Sequence, residues 1–130
     1  MRAALLLVTL FFTLPAWAAL APEYYERARA TAENVIVVRV ERVGGLAPAH
    51  GYGNCRVYGV VEAVERGSRY GGGDEIAISV PCLRADGRPP ASGVQYEGLN
   101  ELRRSQWGRA WLNANGELAL YQYDILASYP

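Results

Sequence analysis

Few side chains in this sequence are equipped for covalent or acid–base chemistry, and their spacing argues mostly against a reaction. His50 is the single histidine among 130 residues. With no second imidazole to share a metal and no partner set converging on it, it reads as an exposed loop residue. Cys55 and Cys82 are the only cysteines. A nucleophilic thiolate must be free and activated, whereas these two sulfurs are expected to be joined to each other. Gly71-Gly72-Gly73-Asp74 has the glycines of a phosphate cradle, but such a loop requires a lysine and the chain contains none. The carboxylate pairs Glu62/Glu65 and Glu97/Glu101 serve acid–base catalysis only if a cleft holds them about 5 to 10 Å apart; otherwise they are solvated surface charges. No catalytic residue, metal site or cofactor is assigned, and the chain reads as a non-enzyme.

Aromatic residues carry the stronger signal. Trp107, Trp111, Tyr121 and Tyr123 crowd the last stretch of the chain together with Arg109, and Tyr58 lies on the polar face of an earlier strand. Rings beside Arg103, Arg104 and Arg109 suit stacking on a sugar, a peptide or a single-stranded nucleic acid. The competing use is packing, because only two phenylalanines occur and both precede residue 15. Charge decides against nucleic acid: 13 basic residues balance 13 acidic ones, so no long-range field draws a polyanion. The same balance disfavours an anionic membrane surface.

The N-terminus sets the compartment. Met1-Arg2 is followed by an apolar run from Ala3 to Leu14, then Pro15 and the small-x-small motif Ala16-Trp17-Ala18, the pattern of a signal peptide cleaved after Ala18. An uncleaved anchor is the alternative, since Ala3 to Ala21 carries no charge. Residues 19–130 are then one domain with net charge near minus one, placed in the periplasm or secreted, monomeric, and free of the membrane after cleavage.

Two cysteines behind a signal peptide favour a disulfide. Cys55 to Cys82 encloses two apolar-alternating runs around a glycine-rich turn, which is the pattern of a stapled β-hairpin. Pairing Cys55 with Cys82 sets Val57 opposite Val80, Gly59 opposite Ile78 and Val61 opposite Ile76, with the turn centred on Ser68-Arg69. It also sets Glu62 against Glu75, a like-charge mismatch that points to a register shift or bulge near the turn. Closing the loop is expected to stabilise the fold by about 3 kcal/mol in the chain-entropy model. Gly59, inside the first strand, marks tight curvature or close backbone approach.

Elsewhere the elements are read from periodicity and turn residues. Pro22 to Glu33 is expected to be a helix with Tyr25, Ala28 and Ala32 on one face, lying against the outside or bottom of a sheet. Val35 to Val43 is a strand, with Val38 and Val40 on one face and Arg39 and Glu41 on the other. Gly44 to Asn54 is loop. Leu83 to Gln106 turns at Ala85-Asp86-Gly87, passes Pro89-Pro90 and becomes helix-compatible from Tyr96 to Arg104. Gly108 to Leu112 and Glu117 to Leu126 are strands joined at Asn113-Ala114-Asn115-Gly116.

The strand Ile36 to Val43, the run Val61 to Gly67, the strand start Gly73 to Ile76 and the late Trp111 to Gly116 occur in an order that resembles the netrin-like and tissue-inhibitor-of-metalloproteinases OB-fold group, particularly its small exported bacterial proteins. The likeness spans most of residues 19–130 and implies a fold and an extracytoplasmic binding habit, not an activity. Inhibitors of that group chelate a protease zinc through an N-terminal cysteine. Here Ala19 would be the first residue, with no cysteine nearby, so that route is not implied.

Taken together, the expectation is an all-β, five-stranded OB-like barrel with a short N-terminal helix. Its expected role is a binding or inhibitor-like module of the cell envelope, with an unidentified protein or envelope component as partner. Recognition is expected through the terminal hairpin, the Gly44 to Asn54 loop, or both. A small envelope hydrolase acting on polysaccharide or peptide, and a structural assembly domain, are the alternatives.

Overall fold

The computed structural model describes residues 20–45 and 50–130. The expected signal peptide and its cleavage point lie outside these residues, as does the middle of the Gly44 to Asn54 loop. Helix α1, Pro22–Thr31, begins with proline at its first turn, where the missing N–H costs nothing. It stops two residues before Glu33 because Asn34 is already the first residue of strand β1, Asn34–Gly44. Asn34 is buried, and its Oδ1 accepts a hydrogen bond from the Arg69 N–H at 3.3 Å.

The remaining elements are β2 (Tyr52–Arg66), β3 (Glu75–Leu83), β4 (Glu97–Gly98), α2 (Leu99–Arg104), β5 (Trp107–Leu112) and β6 (Leu118–Leu126). They form one mixed sheet in the order β4-β3-β2-β1-β5-β6, antiparallel except where β4 runs parallel to β3. The sheet curls into a half-barrel around Ile36, Val38, Val57, Ile78, Val80, Leu112 and Tyr123, and α2 adds Leu99 and Leu102 to this core. Of the expected all-β barrel with a short N-terminal helix, the mostly-β content and the helix are present, and the sheet is a half-barrel. The strand number is corrected from five to six by β4, whose two residues are too short to carry a periodicity.

β1 occupies the middle, paired with β2 on one side and β5 on the other. Its first half does not alternate in exposure, since Val35, Ile36, Val37 and Val38 are all buried. Ile36 and Val38 face the main core. Val35 packs on the opposite face with Ala32, Trp111 and Ala119, against Ala28 of α1. The helix therefore converts one half-wet face into a second small core, as its Ala28 and Ala32 stripe required.

The stapled hairpin exists in a different register. Cys55 stands opposite Val80, Val57 opposite Ile78 and Gly59 opposite Ile76, and Cys82 lies across from Gly53. The disulfide thus crosses the hairpin diagonally, with a Cα–Cα distance of 5.7 Å. The shift is two residues, so every side chain keeps its face. It also relieves the carboxylate clash: Glu75 stands opposite Val60, and Glu62 ion-pairs with Arg39 of β1 at 3.6 Å.

Along the same ladder, Val61 donates its N–H to the Asp74 carbonyl at 2.8 Å. By the alternation of an antiparallel pair, the N–H groups of Ala77 and Ser79 then point away from β2. On that side β3 approaches β6, yet no ladder joins the two strands among the described residues. This gap is the seam of the half-barrel. Pro81, which has no N–H, is tolerated in β3 because the strand borders the seam rather than the middle of the sheet.

Gly59 fulfils the close-approach expectation. A Cβ there would overlap the Arg39 carbonyl oxygen of β1 and lie 2.8 Å from Val38 Cγ1. Backbone of a central strand cannot give way as a surface side chain can. Gly59→Ala is expected to lower the unfolding free energy by about 1–3 kcal/mol in urea titration, whereas Gly71→Ala, whose nearest contact is Asp74 at 3.9 Å, is expected to leave it nearly unchanged.

Candidate functional site

The aromatic residues singled out by the sequence do not share one surface. Trp111 is 8% exposed beneath α1, with the Arg29 guanidinium 4.1 Å above its ring. Tyr123 points into the main core; burial raises its hydroxyl well above the usual phenol range, and that hydroxyl has no hydrogen-bond partner. Trp107 meets Tyr129 edge-on at 5.0 Å, and Tyr58 lies under the Arg42 guanidinium at 3.9 Å. Arg109 is bound to Glu65 through Nε at 2.5 Å and Nη2 at 3.1 Å. Packing and ion pairing thus occupy most of the set. Tyr121 is different, being 38% exposed.

A bulge in β6 explains where Tyr121 goes. Ala110 pairs with Tyr123 and Leu112 with Leu118, so the four residues Ala119–Gln122 must fit opposite the single residue Trp111. The surplus chain is thrown out of the ladder. Leu120 and Tyr121 take φ of 44° and 62°, a left-handed pair that non-glycine residues adopt only when their surroundings impose it.

Gln122 imposes it. Its carboxamide is 1% exposed and fully engaged: Nε2 donates to the Leu120 carbonyl at 2.8 Å and to Gln95 Oε1 at 2.6 Å, while Oε1 accepts from Arg29 Nε at 2.7 Å. Arg29 also holds Asp124 through two bonds of 2.8 and 3.1 Å. One buried amide therefore ties α1, the segment before β4 and the bulge together.

On the outer side of the seam the bulge forms part of a groove of about 390 Å³. Small side chains of β3, Ala77 and Ser79, line it with Pro81; Asn54 and Arg56 of β2 border it, and the β5–β6 turn with Tyr121 contributes the rest of the lining. That turn is firm. Gly116 has φ 83°, Asn115 Nδ2 donates to Glu117 Oε2 at 3.2 Å, and the Arg69 guanidinium donates to the Ala114 carbonyl. Asn54, Pro81 and Tyr121 also line a neighbouring depression of about 270 Å³, whose other residues include Tyr52, Val94 and Tyr96. Tyr52 and Tyr96 meet edge-on at 6.1 Å, and His50 lies 5.6 Å from Tyr52. Arg56 has no ion pair among the described residues.

The groove draws on both regions expected to recognise a partner, the terminal hairpin and the end of the Gly44 to Asn54 loop. Tyr52, Tyr96 and Glu117 were not among the expected site residues. Tyr52 and Asn54 belong to β2 rather than to the loop. β2 pairs Tyr52 with Leu83 and Asn54 with Pro81, a register that periodicity does not reveal.

Glu97 is the second departure from expectation. It lies half-buried on β4 rather than as a solvated surface charge, and its carboxyl is pushed up to about 7. Burial is the main cause; Asp124 and Glu101 add to it, and Arg29 opposes it. No cluster of three or more His, Cys, Asp or Glu able to hold a metal occurs among the described residues. No helix among them is long and apolar enough to cross a membrane. Comparison with protein-family models, with curated proteins and with solved structures finds no match to this chain.

Two outcomes follow from the polar network. Gln122→Ala strands the Leu120 carbonyl and opens a cavity, and is expected to cost about 2–3 kcal/mol in urea denaturation. For Glu97, the folded state retains a proton that the unfolded chain, at its ordinary value of 4.5, has released. Its contribution therefore makes stability fall as pH rises from about 4.5 to about 7 and level off above. Melting curves across that range should show a shallower fall for Glu97→Gln, which also melts higher than the parent at pH 8.

Proposed function

We propose that this chain is an exported, non-enzymatic binding module of the cell envelope, with its ligand held in the seam groove. The observation that carries the reading is Tyr121. An exposed ring is held on a strained, left-handed backbone by a fully buried carboxamide, beside Arg56, which has no ion pair among the described residues, and a floor of small side chains. Strain of this kind persists where surroundings over-determine it, and ligand clamps are a common place for it.

Export is supported by the leader-like N-terminal sequence and by the Cys55–Cys82 bond, which an oxidising compartment favours. The OB-like reading is supported by strand order: apart from β4, the sheet runs β3-β2-β1-β5-β6, with β3 and β6 approaching at the open side. Balanced charge supports the absence of nucleic-acid partners. One observation favours the hydrolase alternative, namely Glu97 with its raised carboxyl beside Asp124; loss of a glycosidase or peptidase activity in Glu97→Gln would establish it.

Because Trp111 is packed beneath α1, its truncation would damage the fold, and Tyr121 is the informative position. Glycine suits φ 62° better than tyrosine, so Tyr121→Gly is expected to fold with unimpaired stability. Immobilised protein is expected to retain an envelope component that Trp107→Ala also retains and Tyr121→Gly releases. Retention indifferent to Tyr121, or no retention at all, contradicts the reading.

A further inference from the structure

The groove has a chemical character that narrows its ligand. Its charged side chains are one arginine, Arg56, and one carboxylate, Glu117, so it offers no net field to an anion or a cation. The lining also carries two amides, Asn54 and Asn115, and the Ser79 hydroxyl. Planar amide, guanidinium and carboxylate groups each present two hydrogen-bonding atoms side by side, the arrangement that adjacent hydroxyls of a pyranose ring match. Tyrosine rings supply the other half. Tyr121 borders both depressions, and Tyr52 and Tyr96 line the second. Their flat apolar faces with hydroxyl tips suit the C–H faces of sugar rings. None of the three hydroxyls is engaged in a hydrogen bond among the described residues.

Length fits as well. The two depressions share Asn54, Pro81 and Tyr121 in their linings and have volumes of about 390 and 270 Å³. That is room for more than one ring, so the match is to a chain rather than a monosaccharide. A polyanion is disfavoured by the overall charge balance of 13 against 13. An extended peptide adding to the outward N–H groups of Ala77 and Ser79 is the competing occupant. It finds Pro81, which has no donor, in its path, and makes no use of the three tyrosines.

We infer that the seam groove binds a neutral oligosaccharide, with Tyr121 and Tyr52 as stacking platforms and Asn54, Arg56 and Glu117 as hydroxyl readers. This rests on the binding reading above and specifies its ligand class. The test is titration of the full, disulfide-bonded protein, ¹⁵N-labelled, with chitotetraose, cellotetraose and maltotetraose, alongside an unstructured neutral decapeptide. At least one saccharide is expected to shift the amides of Asn54, Tyr96 and Tyr121 saturably, and Tyr121→Gly to weaken it by about tenfold or more without altering the melting temperature downward. Tyr52→Ala serves as the second, independent variant. If no saccharide shifts these amides while Tyr121→Gly still releases an envelope component, the saccharide assignment falls and the binding reading stands. If the peptide alone binds, the groove is a peptide site. If neither probe binds and no envelope component depends on Tyr121, both readings fall.

Discussion

Four residues of β6 have to be accommodated opposite one residue of β5. Most of what distinguishes this half-barrel follows from that mismatch. Had β6 run straight, its first half would have continued the ladder beyond Tyr123. Instead the chain leaves the ladder at Gln122, and Leu120 and Tyr121 turn outward on left-handed backbone. The cost of two such residues is met by a buried carboxamide with every polar atom engaged, itself anchored by Arg29 from α1 and Gln95 from the long connection. The helix is thus more than a cover for Trp111 and Val35, because it also braces the bulge.

Much of the scaffold was legible in the sequence, for physical reasons. The β-branched run Val35 to Val43 has little alternative to a strand, Pro22 marked the helix start, and Asn115-Gly116 the last turn. The two cysteines identified a real bond between neighbouring strands. Their pairing was misread by two residues because parity, which periodicity fixes, is unchanged by a shift of two. The Glu62/Glu75 mismatch was the one visible sign of that slip.

The site was less legible. Tyr121 was singled out, but together with Trp111 and Tyr123, which are buried in two different cores, and nothing in the spacing of YQYD distinguishes a bulged tyrosine from a buried one. Tyr52 and Tyr96 are 44 residues apart in the chain and meet only because β3 carries the connection back past the start of β2. Glu97 stood out only by its spacing from Glu101, and its burial had no cue in the sequence, since its environment is built by α1, β6 and α2. Residues assembled from separate elements escape a one-dimensional pattern even when each element is foreseen.

β3 and β6 stay unzipped among the described residues, so that the half-barrel keeps a seam and the groove beside it. Residue-resolved amide hydrogen exchange addresses this most directly. Ile36 and Val38, on a strand with partners at both edges, are expected to be protected to the level of global unfolding, and the outward-facing N–H groups of Ala77 and Ser79 to exchange orders of magnitude faster. Equal protection at all four positions would mean that the seam is closed by a ladder, and would contradict the account.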